Sequence, residues 1–152
     1  MRLPDAQKLA EEQLAKYNLS EWKFHFDRAK SRFGLCIHSQ KVIRLSRHLI
    51  LLNEEKQVYD TIIHEIAHAL VGIGHGHDRV WRAKAKELGH TGKRCYSEAE
   101  VSTPKSKFVG KCPRCGHIIL RNARRDIACS ECCTLYNHGR FSHEFKFEWT
   151  QN

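Results

Sequence analysis

His64-Glu65-Ile66-Ala67-His68, an HExxH sequence, decides how this chain is read. Four residues make about one helical turn, so on a helix both imidazoles leave the same face and can meet one metal ion. Val58, Ile62, Ile66, Ala69 and Leu70 recur around the motif at helical spacing, which predicts a core-facing amphipathic helix with ionisable groups turned inward. A desolvated His-Glu-His group needs partners. Zn²⁺ held by three protein ligands and one water suits that chemistry, with Glu65 as general base on a zinc-bound water whose pKa falls to about 7. The competing reading is a chance HExxH on an ordinary helix.

Upstream, Asn53 followed by Glu54-Glu55 reads as the N-cap of this helix, and Ser46 as the cap of a short helix over 47–51. Before them, Trp22, Phe24 and Phe26 alternate with polar residues, as do Phe33, Leu35 and Ile37, and a third strand is expected over 42–45. Polar turns at 27–32 and 39–40 predict an antiparallel meander, whose edge can take an extended peptide as an added strand. An opening helix spans about 5–17.

Downstream, Gly72, Gly74 and Gly76 end the motif helix, and Val80, Trp81, Ala85 and Leu88 mark another that stops at Gly89. The sharp turn between the two is where a third ligand can fold back. Three residues compete for that place: His77, His75 and Glu87. His75 is one position off the HExxHxxGxxH spacing, while Glu87 also fits an exposed helical carboxylate.

His64 to Leu70, a glycine-bearing turn, a histidine four residues before an aromatic, and a helix ending Leu88-Gly89 together resemble the SprT-like (Spartan) metalloproteases. The resemblance covers roughly residues 5–90. It implies a zincin-like α+β domain and selects His77, four before Trp81, as third zinc ligand. Asp78 departs from the pattern, standing where the family has glycine. His75-Gly76 keeps the glycine but has Arg79 at the aromatic position. The oxyanion donor is left open, with Arg79 and Tyr96 possible by chemistry.

Beyond 92 the character changes. Residues 93–107 read as a polar linker around Ser102-Thr103-Pro104, and then come Cys112-Pro113-Arg114-Cys115 and Cys129-Ser130-Glu131-Cys132, thirteen residues apart. Two CxxC knuckles at that spacing predict a closed four-thiolate structural zinc site in a segment too small to fold unaided. Cys133 competes with Cys132 as ligand, whereas Cys36 and Cys95 read as isolated thiols. A ribbon of this type is also what the family resemblance implies.

The chain has 152 residues and a formal charge of +9, which points to a polyanionic partner. Residues 93–152 carry eleven Lys or Arg against six Asp or Glu, the denser share. Arg121, Arg124 and Arg125 lie between the knuckles, ahead of Tyr136, Phe141, Phe145, Phe147 and Trp149, a mixture suited to phosphate contact and base stacking, single strands included. The aromatics equally suit the inner face of a closing strand. With no signal sequence and no apolar run near ~18 residues, the expectation is a soluble intracellular protein, cytoplasmic or nuclear, neither secreted nor membrane-bound.

The reading is therefore an α+β protease domain at 1–92, its HExxH helix packed on a small antiparallel sheet, then a linker at 93–107 and a zinc ribbon at 108–152. One catalytic and one structural Zn²⁺ are expected. The expected activity is endopeptidase cleavage of DNA-associated or DNA-crosslinked proteins. The alternatives are a DNA-binding scaffold with a silent site and a zinc peptidase without a nucleic-acid role.

Overall fold

The computed structural model describes residues 1–93 and 101–152. The chain divides into two compact α+β units, Met1–Pro104 and Lys105–Asn152. Among the described residues no helix is long and apolar enough to cross a membrane.

The first unit opens with α1 (Leu3–Lys16), where Pro4 sits in the first turn and Arg2 bonds Asp5 at 2.7 Å. Ala6, Ala10 and Leu14 recur every four residues and bury one face of it. β1 (Lys23–Asp27), β2 (Gly34–Ile37) and β3 (Val42–Ser46) follow, then α2 (Arg47–Leu52), α3 (Glu55–Val71) and α4 (Arg79–Glu87). Val58, Ile62 and Ile66 of α3 share one core with Ile43, Leu45, Leu49, Phe33 and the buried face of α1. Each such fully buried large side chain contributes about 1.5–3 kcal/mol of transfer free energy, so α3 is held by its apolar face rather than by helix propensity.

The sheet is not the expected antiparallel meander. Its order is β1-β3-β2, with β1 parallel to β3 and β2 antiparallel to it. The reason lies in the connections. A 3-10 turn over His38–Gln40, closed by Lys41 at φ 49°, makes β2 and β3 a hairpin. Residues 28–33 make no hairpin. Asp27 accepts from the Ala29 N–H at 3.0 Å and pairs with Arg32 at 2.6 Å. Ser46 then pins the passing chain, donating its hydroxyl to the Ala29 carbonyl at 2.5 Å and its N–H to the Phe33 carbonyl at 2.7 Å. The chain thus crosses the end of β3 and lays β2 on the far side. Alternation identifies a strand but not its neighbours, which connections choose.

Ser46 also caps α2, accepting from the Leu49 N–H at 3.2 Å. Asn53, expected to cap α3, does not. It is the C-cap of α2, and its buried amide bonds Leu49 and both backbone groups of Ser102 at 2.7–2.8 Å, leaving Glu54 as the uncapped start of α3. Val101 is buried in the same core. Residues 101–104 therefore belong to the first unit and are not linker, whereas 94–100 lie outside the described residues.

The second unit has β4 (Phe108–Lys111), β5 (Ile118–Arg121), α5 (Ser130–Tyr136) and β6 (Glu148–Gln151), with β4 between the other two strands, antiparallel to both. Cys112, Cys129, Cys132, Cys133, Phe145 and Phe147 form its small core.

Candidate active site and metal centres

α3 places His64 and His68 one turn apart on the face that fronts the cleft. Gly72 closes the helix at φ +83°, a conformation that favours glycine, and the turn after it brings His77 back. Nε2 of His77 lies 3.0 Å from Nε2 of His64 and 3.2 Å from that of His68. The three form a group whose ligand atoms all lie within 4.8 Å of one another. Three converging imidazole nitrogens are a donor set that fits one zinc ion.

The supporting contacts fit as well. His68 donates to the backbone carbonyl of His75. The ring of His38 donates from Nε2 to the backbone carbonyl of His68 at 2.8 Å, tying the end of β2 to the ligand turn. Trp81 is buried beneath all three rings, stacked on His68 at 5.1 Å and 4.6 Å from both His64 and His77. Burial and the neighbouring rings push the His64 imidazole down to about 3 and that of His68 to about 4, which keeps both in the neutral, metal-binding form.

Glu65, next to His64 on α3, packs against β2 and lines the same cleft. It is only 6% exposed. Burial raises its carboxyl to about 8, opposed by the Arg32 charge and by a hydrogen bond from the Cys36 backbone. Room for it comes from Gly34, where a Cβ would stand 2.8 Å from Cγ and 2.9 Å from Cδ of Glu65. Arg32, Gly34, Cys36, His38, Asp60, His64, Glu65, His68, His77 and His90 all line one cleft of about 850 Å³.

The other ligand candidates are occupied elsewhere. Nδ1 of His75 faces Asp78 at 2.7 Å, and Glu87 pairs with Lys84 at 2.7 Å on an exposed face. Asp78 also caps α4, accepting from the Trp81 N–H at 2.9 Å, so the residue in the glycine position starts the helix that carries Trp81. Arg79 is exposed and outside the cleft lining. Tyr96 and Cys95 lie outside the described residues. Sequence reasoning missed Arg32, Gly34, His38 and His90, which only the fold brings to the cleft.

In the second unit Cys112, Cys115, Cys129 and Cys132 form a group within 4.8 Å, with Sγ separations of 3.8 Å (Cys112 to Cys132) and 3.7 Å (Cys115 to Cys129). Four convergent thiols fit a closed zinc site. Burial works to raise the Cys112 thiol, but hydrogen bonds from the backbones of Cys115 and Arg114 and from its thiol neighbours hold it down at about 7. Cys133 is buried beside the group and is not part of it.

Of the aromatics, Phe145 and Phe147 are core, whereas Tyr136 and Phe141 are exposed. Arg124 lies over the ring of Phe108 at 5.0 Å, and Arg114 over that of Tyr136 at 4.1 Å. Arg121 and Arg125 are exposed nearby in sequence, with Phe108 opposite Arg121 in the sheet.

A sequence model of the SprT-like family matches residues 4–104. No curated protein matches the chain.

Proposed function

This chain belongs to the SprT-like family, and from that premise we propose that it is a zinc-dependent endopeptidase acting on proteins associated with or crosslinked to DNA. One observation carries the hydrolytic reading: a buried carboxylate, Glu65, and three convergent imidazoles, His64, His68 and His77, front the same cleft. A zinc ion held by the three histidines supplies a Lewis acid for the scissile carbonyl and a source of hydroxide at neutral pH.

The chain's own residues do the rest. Glu65 takes the proton of the attacking water and returns it to the leaving amine. The Arg32 charge and the Cys36 backbone hold that carboxylate ready to ionise against its burial. Trp81 keeps the three imidazoles packed from below and excludes water from their backs. The four cysteines hold a structural zinc that organises the second unit.

The nucleic-acid part of the proposal rests on charge and exposed chemistry. The net charge is +9, and Arg114, Arg121, Arg124 and Arg125 lie among exposed or half-buried rings in the second unit, a combination that meets phosphates and stacks on bases.

The test is cleavage of a basic DNA-binding protein with and without single-stranded DNA, wild type against Glu65→Gln at equal zinc content. Cutting by the wild type alone, faster with DNA, is the expected result. Equal inertness of both proteins, with DNA still bound, would leave a binding protein with a silent site.

A further inference from the structure

We propose that His90 is a further catalytic residue, a hydrogen-bond donor to the oxygen on which negative charge develops as the scissile carbonyl is attacked. This deepens the hydrolytic reading above and rests on it.

Sequence patterning gives His90 no role, because it follows the end of a helix and belongs to no motif. The fold gives it a place. α4 ends with Gly89 at φ +87° and with the His90 N–H bonded back to the Ala85 carbonyl at 2.9 Å, which turns the chain over the end of the helix. The ring then lies edge-on to His64, with centroids 5.4 Å apart, and 6.0 Å from Trp81. It lines the same cleft as Glu65 and the three ligand histidines.

Its tautomer is set locally. The Gly92 N–H donates to Nδ1 at 3.0 Å, so Nδ1 is the acceptor and a neutral ring carries its proton on Nε2. Nε2 has no hydrogen-bond partner among the described residues. A half-buried imidazole beside the proposed metal ligands therefore holds one donor in reserve, and its other nitrogen is tied to backbone. Asp60, one turn before His64 on α3 and also in the cleft wall, is the carboxylate that acts on it.

A reaction that turns a neutral carbonyl into an oxyanion needs a preorganised donor of this kind. Arg32, a cation of the same cleft that acts on Glu65, is engaged by Asp27 at 2.6 Å and by the Gly34 carbonyl. Arg79 is not in the cleft lining.

The experiment compares wild type, Glu65→Gln, His90→Ala and His90→Gln, all zinc-loaded full chain, in the cleavage assay above. It adds calorimetric binding of a phosphinic peptide, whose tetrahedral anion mimics the attacked carbonyl, and ¹⁵N NMR of the wild-type His90 ring. We expect His90→Ala to lower kcat about 100-fold with little change in KM, and His90→Gln, which keeps an N–H donor, to recover most of that. Phosphinate binding should weaken in step with kcat, and the ring should be neutral with its proton on Nε2. Unchanged kcat in His90→Ala beside an inactive Glu65→Gln would overturn the assignment and leave the hydrolytic reading standing, as would a change in KM alone. A wild type no faster than Glu65→Gln removes the hydrolytic reading and the role of His90 with it. Should His90→Ala not fold, the ring tautomer decides: a proton on Nδ1 overturns the proposal, and one on Nε2 upholds it.

Discussion

Gly34 and Glu65 touch across the packing of β2 on α3 so closely that a methyl group on the glycine would overlap the carboxylate, standing 2.8 Å from its Cγ and 2.9 Å from its Cδ. The proposed general base is thus positioned by the absence of a side chain on the strand opposite. Gly34→Ala should therefore displace Glu65 and lower kcat by about 100-fold or more, in the range a positioned acid–base group supplies, while zinc content stays at the wild-type level. Cleavage kinetics with metal analysis check this. Wild-type kcat in a folded Gly34→Ala protein would show that the carboxylate tolerates the shift.

Trp81 is wholly buried and packs against His64, His68 and His77 together. Trp81→Ala removes both core volume and the support of the ligand rings. A loss of about 3–5 kcal/mol in unfolding free energy is expected from urea titration, along with weaker zinc binding. Trp81→Phe should keep most of both, since a ring still fills the floor.

The metal-free protein should show a stability maximum in the first unit near pH 6.5. His64 and His68 have folded values lowered to about 3 and about 4, below the ordinary 6.5, so the unfolded chain binds more protons there and stability falls as pH drops below about 6.5. Glu65 is shifted the opposite way, from 4.5 to about 8, so the folded state holds an extra proton and stability falls as pH rises from about 4.5 to 8. Below 6.5 the two histidines outweigh the single carboxyl. Above it the Glu65 contribution outweighs the fading opposite ones of the histidines, the lowered His90 among them, so Glu65→Gln should remove the decline between pH 6.5 and 8 in thermal melts. An unchanged slope in that variant would contradict the assignment.

In the second unit, Cys132→Ser should lose the structural metal and the fold that depends on it, because Sγ of Cys132 lies 3.8 Å from that of Cys112 within the four-thiol group. Cys133→Ser should keep full metal stoichiometry, at a modest cost in core packing. Zinc content and circular dichroism of the two variants separate them.

Nucleic-acid affinity should depend on arginines that lie beside rings. Arg124→Gln and Arg114→Gln each remove one cation, over Phe108 and Tyr136 respectively. Each should reduce the slope of log affinity against log salt for single-stranded DNA by about 0.7. A slope unaltered by either change would place the phosphate contacts elsewhere.

The HExxH spacing, the apolar stripe of Val58, Ile62 and Ile66, the glycines that end α3 and the two CxxC pairs are all local patterns, and local patterns follow from the periods of helix and strand and from metal geometry. They were legible without a structure. The alternation in 23–27 and 34–37 likewise marked strands, yet it carried no information on which strand neighbours which. The parallel pairing of β1 with β3 came from Ser46 and Asp27 holding the crossing chain. Asn53 looked like a cap and became a buried clamp on Ser102, because a partner 49 residues away has no signature in a local window. Gly34 against Glu65, His38 on the His68 carbonyl and His90 beside His64 are contacts of the same kind. The sequence by itself determined the ligand types and their spacing. Only the tertiary structure decided which glycine makes room for the carboxylate and which histidine beyond the motif and its downstream partner reaches the cleft, because those are questions of distance between segments that the chain leaves far apart.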